Sequence, residues 1–546
     1  MSPRNAIVLL LALSTLLFLA ACGSNNGITN PTPPPSGGFT NANLDGTYVF
    51  SVSGTDQASA LPYAITGTFT ANGSGGNGKG TITGGTFDIN DADTTEFTSG
   101  PIADASINSN SFYNVSVDGR GQATIGSNIS GFPNLTFDFV LSSSSHGLIT
   151  EFDSFGTGSG TLDLQSSGVT PSGAYAFSFS GGTYSGAPFA TVGNFTLGSG
   201  GAITAGLADF NNGALTISAG QTLAGTVVVA STPSTTLSTA QYPSLAFDVF
   251  PIDANHLKFI ETDGNGTLSG DAFSQTTATL PSGTLAFTLQ GSLATGAPVA
   301  AGGFMVTDST GDITSSSTED FNEGGTLSPA TPVPFTASYV AGGTGRYTIS
   351  NFSGFTPAGL TYAAYPSSGG TLLLEIDTVG VTAGAAYTQT STATFASASQ
   401  GFGLSLSGDN LSSSGIDPVG DIAEFTAAPS GSTVTGLIDE NYYTATSPFF
   451  DQVLAGTYGS IDTGRSGITA TTGTSTSPGT LNGGFALTLY TVDGTTFPFI
   501  ESDSGQVSAG VIVAQSSPSS SAAVAHSNMF VARPMFHPHA ARQKKN

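Results

Sequence analysis

One closing signature occurs four times without a gap: Glu-x-Asp, six residues, Gly, four residues, Gln. The copies are Glu151/Asp153/Gly160/Gln165, Glu261/Asp263/Gly270/Gln275, Glu375/Asp377/Gly384/Gln389 and Glu501/Asp503/Gly510/Gln515. Spacing held to the residue in every copy marks a repeated structural unit rather than one continuous core. An opening signature precedes each copy. It runs Gly46-Thr-Tyr48-Val-Phe50-Ser-Val52-Ser-Gly54, then Gly173 to Gly181 and Gly283 to Gly291, with a weaker version from Phe402 to Gly408. Large apolar residues take every second place, with small or hydroxylic ones between, which predicts a half-buried strand.

Between the two signatures each copy carries Asp-x-Asn: Asp88/Asn90, Asp209/Asn211, Asp320/Asn322 and Asp439/Asn441. Three copies add Tyr, five residues, Gly-Arg: Tyr113/Arg120, Tyr339/Arg346 and Tyr458/Arg465. The second copy lacks it. The repeats therefore run 43–168, 169–280, 281–395 and 396–517. Within each, short alternating runs are broken by Gly, Asn and Asp at hairpin spacing, and no helical periodicity appears. The expected fold class is all-β: four tandem antiparallel up-and-down, calycin-like small β-barrels. An eight-strand meander can close on itself and remove its edges. Four β-sandwiches are the alternative.

Charge sets further bounds. The chain has 36 acidic residues, ten Lys+Arg and a formal net charge of −26. All 36 acids lie in the repeats, against five bases there: Lys79, Arg120, Lys258, Arg346 and Arg465. This balance argues against a nucleic-acid partner, which needs clustered Lys/Arg. The single cysteine, Cys22, excludes intrachain disulfides and a thiolate metal cage.

Residues 1–22 read as a targeting segment, with Arg4 ahead of an apolar stretch from Ala6 to Leu19 that is too short to span a membrane. It ends Leu19-Ala20-Ala21-Cys22. This resembles the lipobox of bacterial lipoproteins, and the resemblance implies that Cys22 becomes the lipid-modified first residue of the mature chain. An ordinary signal peptide with an incidental cysteine is the alternative. Residues 23–42 are rich in Pro, Gly and Ser and read as a disordered tether. Residues 518–546 hold no acid and four bases, and read as a disordered basic tail or an arm for anionic headgroups or for the acidic repeats. With its G-x-Y-x-F openings and F-I-E-x-D closings, the span 43–517 resembles uncharacterised bacterial lipoproteins built of tandem all-β repeats. That resemblance implies architecture and location, with no activity to carry over.

Which residues could do chemistry? Paired carboxylates such as Glu151/Asp153, Glu261/Asp263, Glu375/Asp377 and Glu501/Asp503 are what a glycoside hydrolase uses. A catalytic pair is needed once, however, whereas a determinant of the fold recurs in every copy. We therefore read them as structural carboxylates that accept turn amides, with Glu and Gln facing each other across a hairpin. Asp-x-Asn loosely resembles a calcium loop, with Asp88, Asn90, Asp91 and Asp93 as the best candidate ligands, but no copy supplies the full donor set. His146 and His256 sit beside predicted turns, and no catalytic triad or phosphate-binding signature appears. The sequence reads as a non-enzymatic, lipid-anchored protein of the cell envelope, at the outer membrane or cell surface. It would use no cofactor and would act as a scaffold, adhesin or binding array, attached to the membrane and meeting a glycan or envelope partner. The alternatives are carriage of small ligands inside the barrels, or hydrolysis by a Glu-x-Asp pair.

Overall fold

The computed structural model describes residues 38–516, apart from short stretches at 75–77, 94–100, 214–216, 230–234, 276–278, 329–330, 353–358, 413–414, 444–447 and 474–483. Cys22, most of the tether and the basic tail lie outside the described residues. Two single 3-10 turns aside, at Asn41–Asn43 and Ser199–Gly201, the described residues form antiparallel strands and their connections.

The first barrel is a meander closed on itself. Strand Asp45–Asp56 pairs with Pro62–Asn72 on one side and with the last strand, Gly156–Leu164, on the other. The ring continues through Gly80–Asp91, Phe112–Val115, Arg120–Ile125, Leu135–Leu141 and His146–Glu151. The third repeat closes the same way, from Gly283–Leu293 round to Gly380–Thr388. The fourth is an eight-stranded closed barrel from Gln400–Ser412 to Gln506–Ala514. The second is nearly closed. Its fourth strand breaks at Leu223 into Ile217–Thr222 and Ala224–Thr226, and a bridge from Ala202 to Thr226 completes the circuit. The all-β tandem-barrel expectation holds, and the sandwich alternative falls away because strand pairing runs round each unit.

Each barrel is filled by its own side chains. Tyr48, Phe50, Phe69, Phe87 and Phe137 pack the first, and Phe177, Phe179, Phe195 and Phe259 the second. Phe287, Phe335 and Phe352 occupy the third, and Phe402, Phe425 and Phe497 the fourth. The repeated Gly of the closing signature lies where the last strand crosses the first. A Cβ on Gly160, Gly270, Gly384 or Gly510 would overlap the carbonyl oxygen of Ser51, Ser178, Thr288 or Ser405. Only glycine lets the strands approach there.

Two expectations change. The opening strands are buried on both faces, not one. Ser51 and Ser53, which alternate with Phe50 and Val52, are 0% and 2% exposed. The outer walls of the barrels pack on one another: Val49 of the first opening strand and Ala64 join Phe250, Ile252 and Ile260 of the second barrel, and Val140 and Leu148 join Ile422, Val511 and Val513 of the fourth. The folded part also begins before residue 43. Phe39, assigned to the tether, is buried in the first core and donates its amide to the carbonyl of Val117 at 2.9 Å.

Candidate functional site

The Glu-x-Asp carboxylates sit where the last hairpin of each barrel turns. Each Asp accepts two backbone amides, one from two residues ahead and one from the neighbouring strand. Asp153 takes Phe155 at 2.7 Å and Thr136 at 2.6 Å, and Asp263 takes Asn265 at 2.8 Å and Ala246 at 2.6 Å. Asp377 takes Val379 and Thr361, and Asp503 takes Gly505 and Ala486. The structural reading of these aspartates thus has a specific geometry. The expected hairpin register is wrong, because the turn is tighter. Thr150 pairs with Ser159 and His146 with Asp163, so Glu151 does not face Gln165.

The glutamates are sealed. Glu151, Glu261, Glu375 and Glu501 are at most 1% exposed. Burial, reinforced by the adjacent aspartate, raises their pKa values well above the ordinary glutamate range, and Glu375 is pushed up to about 8. Enclosure therefore favours the protonated form of each. A neutral, enclosed acid beside a saturated aspartate offers no surface to a substrate. An amide can replace such a neutral acid, but not the aspartate beside it. Asp263→Asn should cost about 1.5–3 kcal/mol, since two charge-assisted amide bonds are weakened in a buried turn. Glu261→Gln should cost clearly less. Urea unfolding of the two variants measures the difference, and equal costs would contradict the protonated glutamate.

The remaining signature residues leave their own barrel. The Asn of Asp-x-Asn inserts its side-chain amide into the Glu-x-Asp turn of the next barrel. Asn90 donates to the carbonyls of Glu261 (2.7 Å) and Gly266 (2.8 Å), and Asn211 to those of Glu375 (2.9 Å) and Gly380 (2.8 Å). Asn322 donates to Asp503 and Gln506. Asn441, in the last barrel, donates to Glu151 (2.7 Å) and Gly156 (2.9 Å) of the first. The terminal Gln repeats this course. Gln165 reaches the carbonyl of Pro251, Gln275 that of Pro366, Gln389 that of Thr491, and Gln515 those of Asp118 and Leu141. The barrels thus contact in the cycle one, two, three, four, one. Head-to-tail contacts of one kind either run on as a filament or close, and here they close after four.

Arginines seal three of the four seams. Arg346 grips Asp209 of the preceding barrel with both ends of its guanidinium, at 2.8 and 2.7 Å, and Tyr365 adds its hydroxyl at 2.5 Å. Arg465 lies 3.0 Å from Asp320, which also accepts from Tyr490. Arg120 meets Asp451 at 2.6 Å and Asp439 at 3.5 Å across the seam between the fourth and first barrels, with Asp118 at its own Nε. Among the described residues, no arginine enters the seam between the first and second barrels. Lys258 crosses it instead, 2.7 Å from Thr161 and 3.0 Å from Asp271, with Asp163 at 3.5 Å. His146 on Asp163 and His256 on Asp271 flank it, both buried at the start of strands. Sequence reasoning missed this network, although the matching places of the two histidines and the missing Gly-Arg both marked the second repeat as different.

The calcium candidates separate. Asn90 is taken by the next barrel, and Asp91 caps the amide of Asp93 at 2.8 Å. Asp88 instead groups with Asp104 and with Asp248 of the second barrel.

No protein-family model matches the chain, and no curated protein is similar to it. Among solved structures it is similar to isotype 1 transferrin binding protein B from serogroup B Neisseria meningitidis. That match has 13% identity and a TM-score of 0.18, covering 68% of this chain and 84% of that one. A transferrin binding protein B double mutant from Haemophilus parasuis Hp5 matches at 10% identity and a TM-score of 0.19, covering 68% and 83%. Likeness of this degree identifies neither a shared architecture nor a shared partner.

Proposed function

We propose that the chain is a non-enzymatic envelope protein, lipid-anchored through Cys22, whose ring of four barrels is a rigid platform for binding a surface partner such as a glycan or another envelope protein. The observation that carries this reading is the closed cycle of filled barrels. Their interiors are occupied by aromatic side chains, which does not favour carriage of small ligands. The Glu-x-Asp acids are enclosed and committed to turn amides, which does not favour hydrolysis. A ring locked at every seam can hold its exposed loops in one fixed arrangement, and pre-organisation of this kind lowers the entropic cost of binding.

The anchor has a direct check. Cys22→Ser removes the only thiol, and should shift the protein from the membrane fraction to the soluble one and abolish labelling by a palmitate analogue. A variant still labelled would overturn the lipoprotein reading. The binding role is tested by screening the intact ring against glycan arrays and envelope extracts. Turnover of a glycoside that Glu261→Gln abolishes would instead establish an enzyme.

A further inference from the structure

The seam between the first and second barrels carries three carboxylates whose oxygens lie within 4.8 Å of one another: Asp88, Asp104 and Asp248. Asp88 is 1% and Asp248 2% exposed, while Asp104 is half-buried. Asp88 takes the amide of Asp104 on Oδ1 at 2.7 Å, and Asp248 takes the amide of Val249 at 2.8 Å. The second oxygen of Asp88 is buried and receives no N–H or hydroxyl donor of the chain; its hydrogen-bonding neighbour is another acid, Asp248. It faces Asp248 of the next barrel, so two buried acids oppose each other with no cation of the chain between them. That is costly unless a shared proton or a bound cation supplies positive charge.

The seam between the fourth and first barrels shows what belongs there. Asp439 matches Asp88 in the repeat, and it too takes the amide of a left-handed aspartate, Asp451, at 2.7 Å. Asp104 is left-handed as well. Asp138 matches Asp248, since Phe137 and Phe247 pair with the equivalent glutamates Glu151 and Glu261. The counterparts of all three carboxylates therefore face this other seam, where Asp138 feels the charges of Asp439 and Asp451. There Arg120 enters the group, 2.6 Å from Asp451 and 3.5 Å from Asp439. At the seam of Asp88, the second repeat has no arginine in its whole length. Its one lysine, Lys258, is engaged by Thr161 and Asp271.

We propose that a calcium ion binds between the first and second barrels, held by Asp88, Asp104 and Asp248 in the place that Arg120 fills between the fourth and first. The donors are all carboxylate oxygens, which suit a hard cation and give a soft one no ligand. Calcium takes roughly 6–8 oxygens in flexible geometry. Three carboxylates from two barrels can provide part of that shell, and the exposed side of Asp104 admits water to complete it. Magnesium, which demands a near-ideal octahedron, suits donors spread over two separate sheets less well. The ion ties the one seam that no described arginine enters.

The test uses the full chain, stripped with a chelator and titrated with calcium chloride by calorimetry, with terbium luminescence excited through tyrosine as a second readout. One site per chain and a higher melting temperature with calcium are expected. Asp104→Asn, at the half-exposed ligand, should weaken binding by about tenfold or more. Asp451→Asn, its counterpart beside Arg120, should leave calcium affinity unchanged. Three results would overturn the proposal: neither heat, luminescence nor a melting shift at millimolar calcium; affinity unaltered by Asp104→Asn; or magnesium binding as tightly as calcium. The first, together with a pH-dependent melting temperature that Asp248→Asn abolishes, would show that Asp88 and Asp248 share a proton instead.

Discussion

Arg346→Ala is expected to destabilise the folded chain by about 3–5 kcal/mol, the cost of leaving a buried charge without its partner. Asp209 is 0% exposed and takes both ends of the Arg346 guanidinium. Without the arginine it keeps only the hydroxyl of Tyr365 and the amide of Gly220. The loss falls on a seam between barrels rather than within one, so the effect reports how far the ring holds its members. Denaturant unfolding measures it. A cost under about 1 kcal/mol would mean that water reaches Asp209 and that the seam opens in solution. A double variant, Arg346→Met with Asp209→Asn, should recover much of the loss, because an apolar or neutral filling of a buried ion-pair site is often tolerated.

Stability should fall as pH rises from about 5 to about 8. Burial and Asp377 raise Glu375 to about 8, and burial and Asp118 raise Glu424 to about 9. Burial likewise raises Glu151, Glu261, Glu319 and Glu501. In the unfolded chain these acids ionise near 4.5. Above that pH the unfolded state has released protons that the folded state still holds. Each such acid then lowers stability by about 1.4 kcal/mol per pH unit until its folded value is reached. Asp163 acts in the opposite sense. Against the upward push of burial, Lys258 and His146 hold it below the usual carboxylate range, so its contribution is lost on acidification. The optimum therefore falls on the acid side of neutrality, near the ordinary glutamate range. Calorimetric melts should show a melting temperature lower by roughly 5 °C or more at pH 8 than at pH 5.5. Glu375→Gln should flatten the profile by one proton's worth of slope. A profile flat from pH 5 to 8 would contradict the enclosed acids.

Strand alternation and the fixed spacing from Glu-x-Asp to Gly and Gln made four closed or nearly closed all-β units legible, because both follow from pairing within one barrel. The ring was not legible. Asn90 and Gln165 are plainly repeated, but nothing in their spacing says that their amides end on a different barrel. The arginines show the same thing: nothing in the Gly-Arg spacing says that Arg346 reaches back to the preceding repeat. One signal was available. The outward positions of the strands carry Ala, Ser and Gly where a water-facing strand would carry charge. Ala176, Ala190, Ala286, Ala300 and Ala363 all lie in the cluster shared by the second, third and fourth barrels. With only 8% charged residues the chain cannot wet both the rims and the outer walls of four barrels. Of the residues named as calcium candidates, Asp88 alone joins the three-carboxylate group. Asp88 could be found from its own strand, but Asp248 comes from another repeat.

The last residues described meet the first barrel as though it were a fifth repeat. The amide of Ser516 bonds to Ser142, just as that of Ser166 bonds to Ile252 and that of Thr390 to Val492. The fold is therefore indifferent to where the polypeptide is cut. A circular permutant opened at 168/169 and rejoined through the old ends would assemble the same cycle. The covalent joints matter for a different reason. Four identical subunits would have to carry every substitution at all four contacts, whereas a tandem chain can alter one contact alone. The seam crossed by Lys258, in the one repeat without an arginine, is such an alteration, open only to a tetramer written as a single gene.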